Sequence, residues 1–499
     1  VLDDTDSDIQ VPNNINSFLW GQYVVPTEGG VWQKSNWQNI RNINYFMTHY
    51  QSVQAAEADV NIYVAEMRFF RALEYFNKIQ LLGDVPWLEV DLNVDSEELY
   101  GPKMKRNQVF QKIIEDLDFA IQWLPEAGSE EANRLNKDIA RHVKARFCLN
   151  EGTHYKYHNE LEYASEAEKW LQMAATESDK LITSGRYEIY NTGHPQEDYF
   201  NMYRIDDKSD LKEAVLYVDY KTNIREHNMA AAGREAGCGF SKSFVESFLC
   251  SDGLPISLSN KYLGDETMRK ETANRDPRLK QLILTNDFPT NVTDDLKDST
   301  FVVNEDEFIT QHCFTGYRPI KGFNPIYSQA LYMKSSFDGI AYRYAETLLI
   351  NAEAKAELNT ITDADLDRTI NQLRDRVGMP HLTVNVGFTD PKWPDWGYSL
   401  SPVLQEIRRE RCIELAGEGF RFNDLKRWKA GKVLNNVLTY VGKRKPDGNL
   451  AIVYPNYTNP DLSYQAGKSR TWEDKMYLYP IPTGELQRNP QLLPQNPGW

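Results

Sequence analysis

Cysteine is scarce in this chain, with five residues among 499, and none of them forms a C-x-x-C pair. Structural zinc sites and disulfide frameworks need cysteines in a recognisable spacing. The scattered positions therefore favour buried free thiols, and a Cys238–Cys250 disulfide is the alternative. The five residues are Cys148, Cys238, Cys250, Cys313 and Cys412.

Long apolar runs and a basic charge surplus are also missing. No run approaches the roughly 20 apolar residues that a membrane-spanning helix needs. The 56 Lys and Arg face 72 Asp and Glu, for a formal net charge of -16. Nucleic acids and anionic membranes favour a basic protein surface, so we expect neither as the main partner. Neutral ligands such as sugars are indifferent to this charge.

Known catalytic and nucleotide-binding motifs are absent from the sequence. It has no nucleophile elbow, H-E-x-x-H, P-loop or dinucleotide-binding glycine pattern. His154 and His158 stand at helical spacing, but no third ligand accompanies them. We therefore expect a solvated helix face there, with neither metal nor cofactor.

The most tempting catalytic candidates are three glutamates, Glu410, Glu414 and Glu418, which recur every four residues. Paired carboxylates can act as general acid and base. With Arg411 and Arg421 within reach, however, this spacing is more typical of an ion-pair ladder. We therefore predict a structural role.

What the sequence does contain is helical periodicity in two blocks. Apolar side chains recur every three or four positions over residues 57–82, and Gly83 ends the pattern. Further helices are predicted from Asn107, from about Asp138, over 161–183, 342–358 and 366–377, and from Pro402. Small Ala residues and short Gly/Pro turns fit tetratricopeptide-like hairpins. An irregular helical domain fits them equally well.

Between the helical blocks the composition changes. Residues 186–340, 379–400 and 440–475 are rich in Gly, Pro, Asn and aromatics and have little helical period. Long irregular segments inside a compact protein usually serve function. The helices are therefore interpreted as a scaffold, and the loops as the site.

Several motifs, in order along most of the chain, resemble the SusD/RagB family of outer-membrane nutrient-binding lipoproteins. Residues 37–44 resemble W-x-x-I-R-x-x-N, and residues 65–72 resemble A-E-x-R-F-x-R-A. Further matches are G-D-V-P at 83–86, D-P-R-L at 276–279, R-Y-A-E-x-L-L at 343–349, the E-R-x-x-E…R-W stretch at 410–428, P-I-P at 480–482 and the final Q-N-P-G-W.

The resemblance implies an all-α fold, with a tetratricopeptide-like hairpin scaffold and long irregular loops that form the ligand site. It predicts a single domain over 1–499, with the scaffold mainly in 57–185 and 340–430 and the ligand-binding loops mainly in 186–340 and 379–400. The implied function is non-catalytic capture of an oligo- or polysaccharide at the cell surface and its transfer to a TonB-dependent SusC-like transporter.

The resemblance also implies anchoring at the outer membrane, facing outward. Family members begin with a lipidated Cys just before an L-D-x-x-P-like stretch. Here Leu2 and Asp3 stand without a preceding Cys, and the chain has neither initiator Met nor signal peptide. We interpret it as trimmed just after that Cys, so that membrane attachment runs only through a lipid anchor absent from this chain.

Aromatic and polar loop residues are the candidates for sugar contact, because rings stack on the C–H face of a sugar while amides and charged forks bind its hydroxyls. Trp170 and Trp428, on helical stripes, are expected in the core instead. The predicted ligand-binding residues are Trp32, Asn36, Trp37, Arg41, Phe314, Tyr317, Trp393 and Trp396, with Tyr327 as a further loop aromatic.

Two other functions are compatible with the composition. A helical glycoside hydrolase would also be acidic and aromatic-rich, and would need two carboxylates across a cleft. A tetratricopeptide-like interaction scaffold would bind peptide and would not need long aromatic loops.

Overall fold

The computed structural model describes residues 4–130, 133–453 and 470–499. The first five helices of the described chain are α1 (Gln38–His49), α2 (Glu57–Leu82), α3 (Arg106–Trp123), α4 (Lys137–Tyr157) and α5 (Ala167–Ser184). The helix predicted over 57–82 is confirmed at both ends. Gly83 follows it at a φ of 75°, a conformation that glycine adopts without a steric penalty.

The predicted cap of α3 needs correction, whereas the start of α4 near Asp138 is confirmed. Helix α3 begins one residue before Asn107, whose side-chain amide donates to Glu166 instead of capping the helix. Helix α4 is capped by Asn136, whose Oδ1 accepts the backbone N–H of Ile139 at 3.0 Å.

The middle of the chain carries only short elements. The strands are β1 (Gln10–Pro12), β2 (Ala214–Val218), β3 (Cys238–Phe240), β4 (Pro289–Val292), β5 (Ser299–Phe301) and β6 (Gly339–Arg343). Three antiparallel ribbons result, which pair β1 with β3, β2 with β6 and β4 with β5. The helices here are α6 (Asp198–Met202), α7 (Met229–Arg234), α8 (Lys242–Ser247), α9 (Met268–Thr272) and α10 (Arg278–Leu282).

The late block returns to helices. They are α11 (Tyr344–Glu357), α12 (Asp363–Asp367), α13 (Ile370–Arg376), α14 (Pro402–Glu414) and α15 (Arg421–Arg427), followed by the β7 (Val441–Arg444) and β8 (Leu450–Ile452) ribbon and α16 (Thr483–Arg488). Pro402 opens α14 as predicted. The single helix predicted over 366–377 is instead two, because the backbone leaves the helical conformation at Thr369.

Three hydrophobic cores hold these elements together. The first lies among α2 to α5, α11 and α14, and includes Phe76 stacked on Phe147 with ring centroids 3.6 Å apart. The second lies among the middle segments, and the third surrounds Trp428. Helix α14 joins two of them, because Ile407 belongs to the first core and Ile413 to the second. Trp170 and Trp428 are buried, as predicted.

Buried ion pairs tie successive scaffold helices to one another. Bidentate arginine–carboxylate pairs join α2 to α3 and α3 to α4. Two more join α4 and α15 to α11. Such planar forks fix the relative orientation of the helices they join. The pairs are Arg71–Asp116, Arg106–Glu151, Arg146–Glu346 and Arg427–Glu353.

The predominantly helical architecture confirms the predicted fold class. No helix in the described ranges is long and apolar enough to cross a membrane. Residues 454–469, part of the predicted loop segment 440–475, lie outside the described residues. Leu2 and Asp3, at the start of the chain, also lie outside them.

Candidate functional site

A pocket of about 510 Å³ opens where several distant segments meet. We call it the tryptophan pocket. Its walls come from residues 8–9, α8, the loop at 390–396, α14, the start of α15 and residues 432–439. Its volume lies within the range of about 300–1,000 Å³ that is usual for small-ligand pockets. The pocket brings together two predicted site residues, Trp393 and Trp396.

Both indoles are fixed by hydrogen bonds to α14. The Trp393 N–H donates to Glu406 Oε1 at 2.8 Å, and the Trp396 N–H donates to Gln405 Oε1 at 2.6 Å. Because the polar edges are satisfied by the protein, the ring faces remain as the apolar lining. Trp393 is half-buried and accessible, whereas Trp396 is only 5% exposed and packs edge-on against Trp428. Trp396 is thus a wall of the pocket, and little of its ring is accessible for the predicted sugar contact.

Most charges in the tryptophan pocket are neutralised within the protein. Asp390 accepts from Arg409 at 2.6 Å, and Lys392 lies 2.8 Å from Glu246. Asp395 and Lys432 stay exposed at the rim, one acid and one base. A lining of paired charges, hydroxyls and rings suits a ligand without net charge.

The predicted cluster near α1 forms a compact group away from this pocket. Trp32 and Trp37 meet edge to face with centroids 5.2 Å apart, and the Lys78 ammonium lies 5.3 Å from the Trp37 ring. Asn36 donates to the carbonyl of Val31 at 3.1 Å. Both tryptophans are half-buried and pack on the first core.

Arg41 is the exposed member of the predicted α1 cluster. Its position one turn into α1 leaves the guanidinium facing solvent beside a surface built mainly by packing. The structure therefore gathers Trp32, Asn36, Trp37 and Arg41 in one place, and none of the four lines the tryptophan pocket.

The predicted aromatics after the D-P-R-L turn do not share one surface. Tyr317 is fully buried, and its hydroxyl donates to Glu271 Oε1 at 2.8 Å. Burial, together with the nearby Glu271 charge, raises the pKa of Tyr317 well above its usual value. The expectation that it lines a ligand surface is corrected, because Tyr317 belongs to the second hydrophobic core. Phe314 is half-buried against the third core, whereas Tyr327 is 50% exposed.

The three tempting glutamates are structural, but their partners differ from those predicted. Glu414 is held by Arg343 at 2.7 Å and Arg376 at 2.6 Å. Burial alone would raise its pKa, yet the surrounding guanidinium groups lower it well below the usual value.

Glu410 pairs with Arg278 and Arg374, and Glu418 with Arg343 and Lys321. The expected partners face elsewhere, with Arg411 on Asp424 and Arg421 on Asp8.

Other potentially reactive groups are also sequestered. Burial raises the pKa of Cys412, in the wall of the tryptophan pocket, to about 12. All five cysteines are buried and free, as predicted. His154 and His158 are buried with their rings 4.1 Å apart, so the expected solvated face is wrong. The described residues contain no group of three or more His, Cys, Asp or Glu that could hold a metal ion.

Several lining residues of the tryptophan pocket had no signal in the sequence. Ser243, Ser247, Lys432 and Asn436 come from segments far from the 390–396 loop in the chain. Only the fold brings them to the tryptophans, since no shared motif or period marks them. The Trp-Pro-Asp-Trp run was the one local cue.

These features describe a class of protein: a helical scaffold with long irregular loops and an aromatic-lined pocket. The SusD family model matches residues 181–499, well over half of the chain. The chain therefore belongs to the SusD family.

Known proteins resemble the chain over most of its length. SusD-like protein P2 of Formosa agariphila is 24% identical over 456 residues, which are 89% of this chain and 75% of that protein. A SusD-like protein from Bacteroides fragilis NCTC 9343 superposes with a TM-score of 0.75 at 23% identity, covering 100% of this chain and 93% of its own. A SusD-like carbohydrate binding protein of the same strain gives a TM-score of 0.70 at 21% identity, covering 98% and 92%. At these identities the solved structures show the fold alone.

Proposed function

We propose that the protein is a non-catalytic glycan-binding protein of the cell surface, which captures an oligo- or polysaccharide in the tryptophan pocket. The observation that carries this proposal is the accessible Trp393 ring in a charge-balanced cavity of about 510 Å³. Membership of the SusD family and the carbohydrate binding protein among its relatives support it.

Recognition would divide between the ring and the rim of the pocket. The Trp393 face would stack on the C–H face of a sugar, since its N–H already serves Glu406. Asp395, Lys432 and the hydroxyls of Ser243 and Ser247 would bind the sugar hydroxyls. We propose that Trp396 shapes the pocket from behind and that the chain works as a single domain, since α14 joins two cores.

Hydrolysis is the less favoured function for this pocket. A glycosidase needs one carboxyl group to act as acid and a second as base or nucleophile. Asp390 and Glu246 are each engaged by a cation, and Cys412 is held as a thiol. We therefore expect no release of reducing sugar from a bound polysaccharide. Peptide binding by the hairpins is likewise less favoured, because it leaves the tryptophan pocket without a role.

Affinity electrophoresis against plant, host and microbial glycans tests the proposal. We expect one class of polymer to retard the protein, with Trp393→Ala weakening the interaction about tenfold or more, as buried aromatic anchors generally do. Trp123→Ala is the matched control, since Trp123 is a half-buried tryptophan on α3 outside the pocket. Equal weakening by both substitutions would reject the tryptophan pocket as the site.

We further propose that α1 and α2 dock a TonB-dependent SusC-like transporter at the outer membrane, with the protein facing outward on a lipid anchor. The outer face of these helices exposes large apolar side chains. Tyr45 is 57% exposed, Tyr63 54% and Phe70 42%. Tyr63 and Phe70 are seven residues apart and so share one stripe of α2. Exposed apolar groups of this kind are typical of contact surfaces.

Co-purification with the transporter from native outer membranes tests this surface. The double substitution Tyr63→Ser and Phe70→Ser is expected to abolish co-purification without changing glycan affinity. Leu263→Ser is the control, because Leu263 is 51% exposed in a middle segment. Unchanged co-purification of the double variant would place the docking surface elsewhere.

A further inference from the structure

We propose that the chain carries a second ligand site, specific for a neutral, hydroxyl-rich molecule the size of one or two sugar units. It occupies a cavity of about 580 Å³ between α2, α4, β6 and α15. We call this cavity the amide pocket, for the carboxamides of Asn77, Gln80, Asn150 and Asn423 that line it. No residue lines both the amide pocket and the tryptophan pocket, so the two sites are separate.

Four carboxamide side chains line the amide pocket. Asn77 and Gln80 are three residues apart on α2, so they share a face, while Asn150 faces them from α4 and Asn423 from α15. Within the described residues, none of the four side-chain amides has a hydrogen-bond partner. Asn77 is exposed, and the other three are half-buried. Their donors and acceptors are therefore available to a ligand in the cavity.

Each carboxamide offers two N–H donors and one carbonyl acceptor. Four of them around one cavity form a ring of mixed donors and acceptors. Sugar hydroxyls both donate and accept hydrogen bonds, so they can pair with either the N–H groups or the carbonyl oxygens of these carboxamides. In the tryptophan pocket the carbonyl oxygens of the comparable amides are already used, since Gln405 accepts from Trp396 and Asn436 accepts the backbone N–H of Leu438.

The arginines of the amide pocket do not favour an anionic ligand. Each guanidinium in its wall meets a carboxylate, and Arg146 is additionally held between the rings of Tyr342 at 4.7 Å and Phe420 at 5.0 Å. Anionic ligands such as phosphates would have to compete with carboxylates already in place. The pairs are Arg146–Glu346, Arg343–Glu418, Arg411–Asp424 and Arg427–Glu353.

The shape favours a short sugar over a peptide. An extended peptide presents its amides along a line, which an open-ended groove would follow. The four carboxamides instead come from three separate helices around one cavity. Half-buried Tyr342 and Phe420 add apolar surface next to them, as a pyranose ring requires. This inference does not rest on glycan capture in the tryptophan pocket.

Saturation-transfer NMR and calorimetry on the full chain test the proposal. The probes are glucose, galactose, mannose and xylose with their β-linked disaccharides, and a mixture of neutral tripeptides. We expect at least one sugar to bind the Trp393→Ala variant as well as the wild type. The double substitution Asn150→Ala and Asn423→Ala is expected to weaken that binding about tenfold, since it removes several neutral hydrogen bonds.

Gln108→Ala is the matched control, because Gln108 is an exposed amide on α3 outside the cavity. Far-UV circular dichroism and urea unfolding of each variant show whether a loss of binding is caused by a loss of folded protein. If the double variant is unfolded, Asn77→Ala takes its place, since Asn77 is exposed. The proposal is overturned if no sugar binds, if Trp393→Ala abolishes all binding, or if only the peptides respond to the amide substitutions.

Discussion

Arg343 Nη1 lies 2.7 Å from Glu414 Oε1 deep inside the protein, where both side chains are almost wholly shielded from solvent. The same carboxylate also accepts from Arg376 and Arg278, so three cations converge on one glutamate. Arg343 follows directly on the middle segments and Glu414 ends α14, so the pair connects the loop-bearing part of the chain to the scaffold.

Removing this single negative charge should destabilise the whole protein. Glu414→Gln leaves several buried guanidinium groups without full compensation, and breaking a buried pair in this way costs about 3–5 kcal/mol. Urea unfolding at pH 7 measures the change in the free energy of unfolding. Glu188→Gln is the control, because Glu188 and Lys212 form an exposed pair whose loss should be too small to resolve. Equal effects of the two substitutions would contradict a stabilising role for the cluster.

The same cluster illustrates what could be read from the sequence. The four-residue spacing of the glutamates correctly indicated ion pairing, because spacing along one helix is a local property. The predicted partners Arg411 and Arg421 were wrong, because the actual partners Arg278, Arg343 and Arg376 lie on other elements that only the fold brings close. Helix α2 was predicted to the residue, since its apolar period and Gly83 are both local signals.

The candidate site was less accessible to sequence reasoning for the same reason. Trp393 and Trp396 were found because they share one short loop. Tyr317 was expected at a surface, but its phenol meets Glu271 of α9 and Lys242 of α8, which the sequence does not place beside it. The amide pocket had no cue at all, since Asn77, Asn150 and Asn423 are separated by long stretches of chain.

Asp4 should give the protein a measurable pH dependence in the acidic range. Its carboxylate accepts the backbone N–H groups of Gly417 at 2.7 Å and Arg421 at 2.9 Å. Burial nevertheless dominates these hydrogen bonds and raises the pKa of Asp4 from 3.8 to about 6. The folded state therefore holds this proton more tightly than the unfolded state between pH about 4 and 6.

The contribution of Asp4 to the free energy of unfolding is therefore fully present below pH about 4 and is lost as the pH rises through 6. At about 1.4 kcal/mol per pKa unit, the change amounts to roughly 3 kcal/mol. Asp4→Asn should remove this slope, as measured by urea unfolding at pH 4, 5, 6 and 7. Asp210→Asn, at an exposed position, should keep the wild-type slope. A slope that survives in Asp4→Asn would assign the titration to another group.

Gly442 in β7 should tolerate no side chain. A Cβ atom there would lie 2.0 Å from the carbonyl oxygen of Thr315, whose position is fixed by a 2.8 Å hydrogen bond from the Lys443 N–H. The neighbouring backbone would have to move, and such overpacking costs typically about 1–3 kcal/mol.

Gly339→Ala in β6 is the matched control for Gly442→Ala. The nearest atom to its new Cβ would be a Tyr220 ring carbon at 3.6 Å, which is ordinary contact. Thermal unfolding should show a clear loss for Gly442→Ala and little change for Gly339→Ala, which also lowers the entropy of the unfolded chain. A comparable loss in both would show that strand glycines matter for a reason other than close approach.

Trp37 and Trp393 should respond differently to truncation. Trp37 packs on the first core, with Trp32 edge-on against it, so Trp37→Ala should lower the free energy of unfolding by about 1–3 kcal/mol through lost burial. Its affinity for the retarding glycan should stay within about twofold of the wild type, because Trp37 does not line the tryptophan pocket. Trp393→Ala should instead weaken glycan binding about tenfold or more, since its ring faces the tryptophan pocket, and should lower stability by about 1 kcal/mol through the lost hydrogen bond to Glu406. Urea unfolding and affinity electrophoresis on the same samples measure both quantities. If Trp37→Ala loses glycan binding while its free energy of unfolding equals that of the wild type, the glycan site lies at the α1 cluster, with Trp32, Asn36 and Arg41 as further contacts.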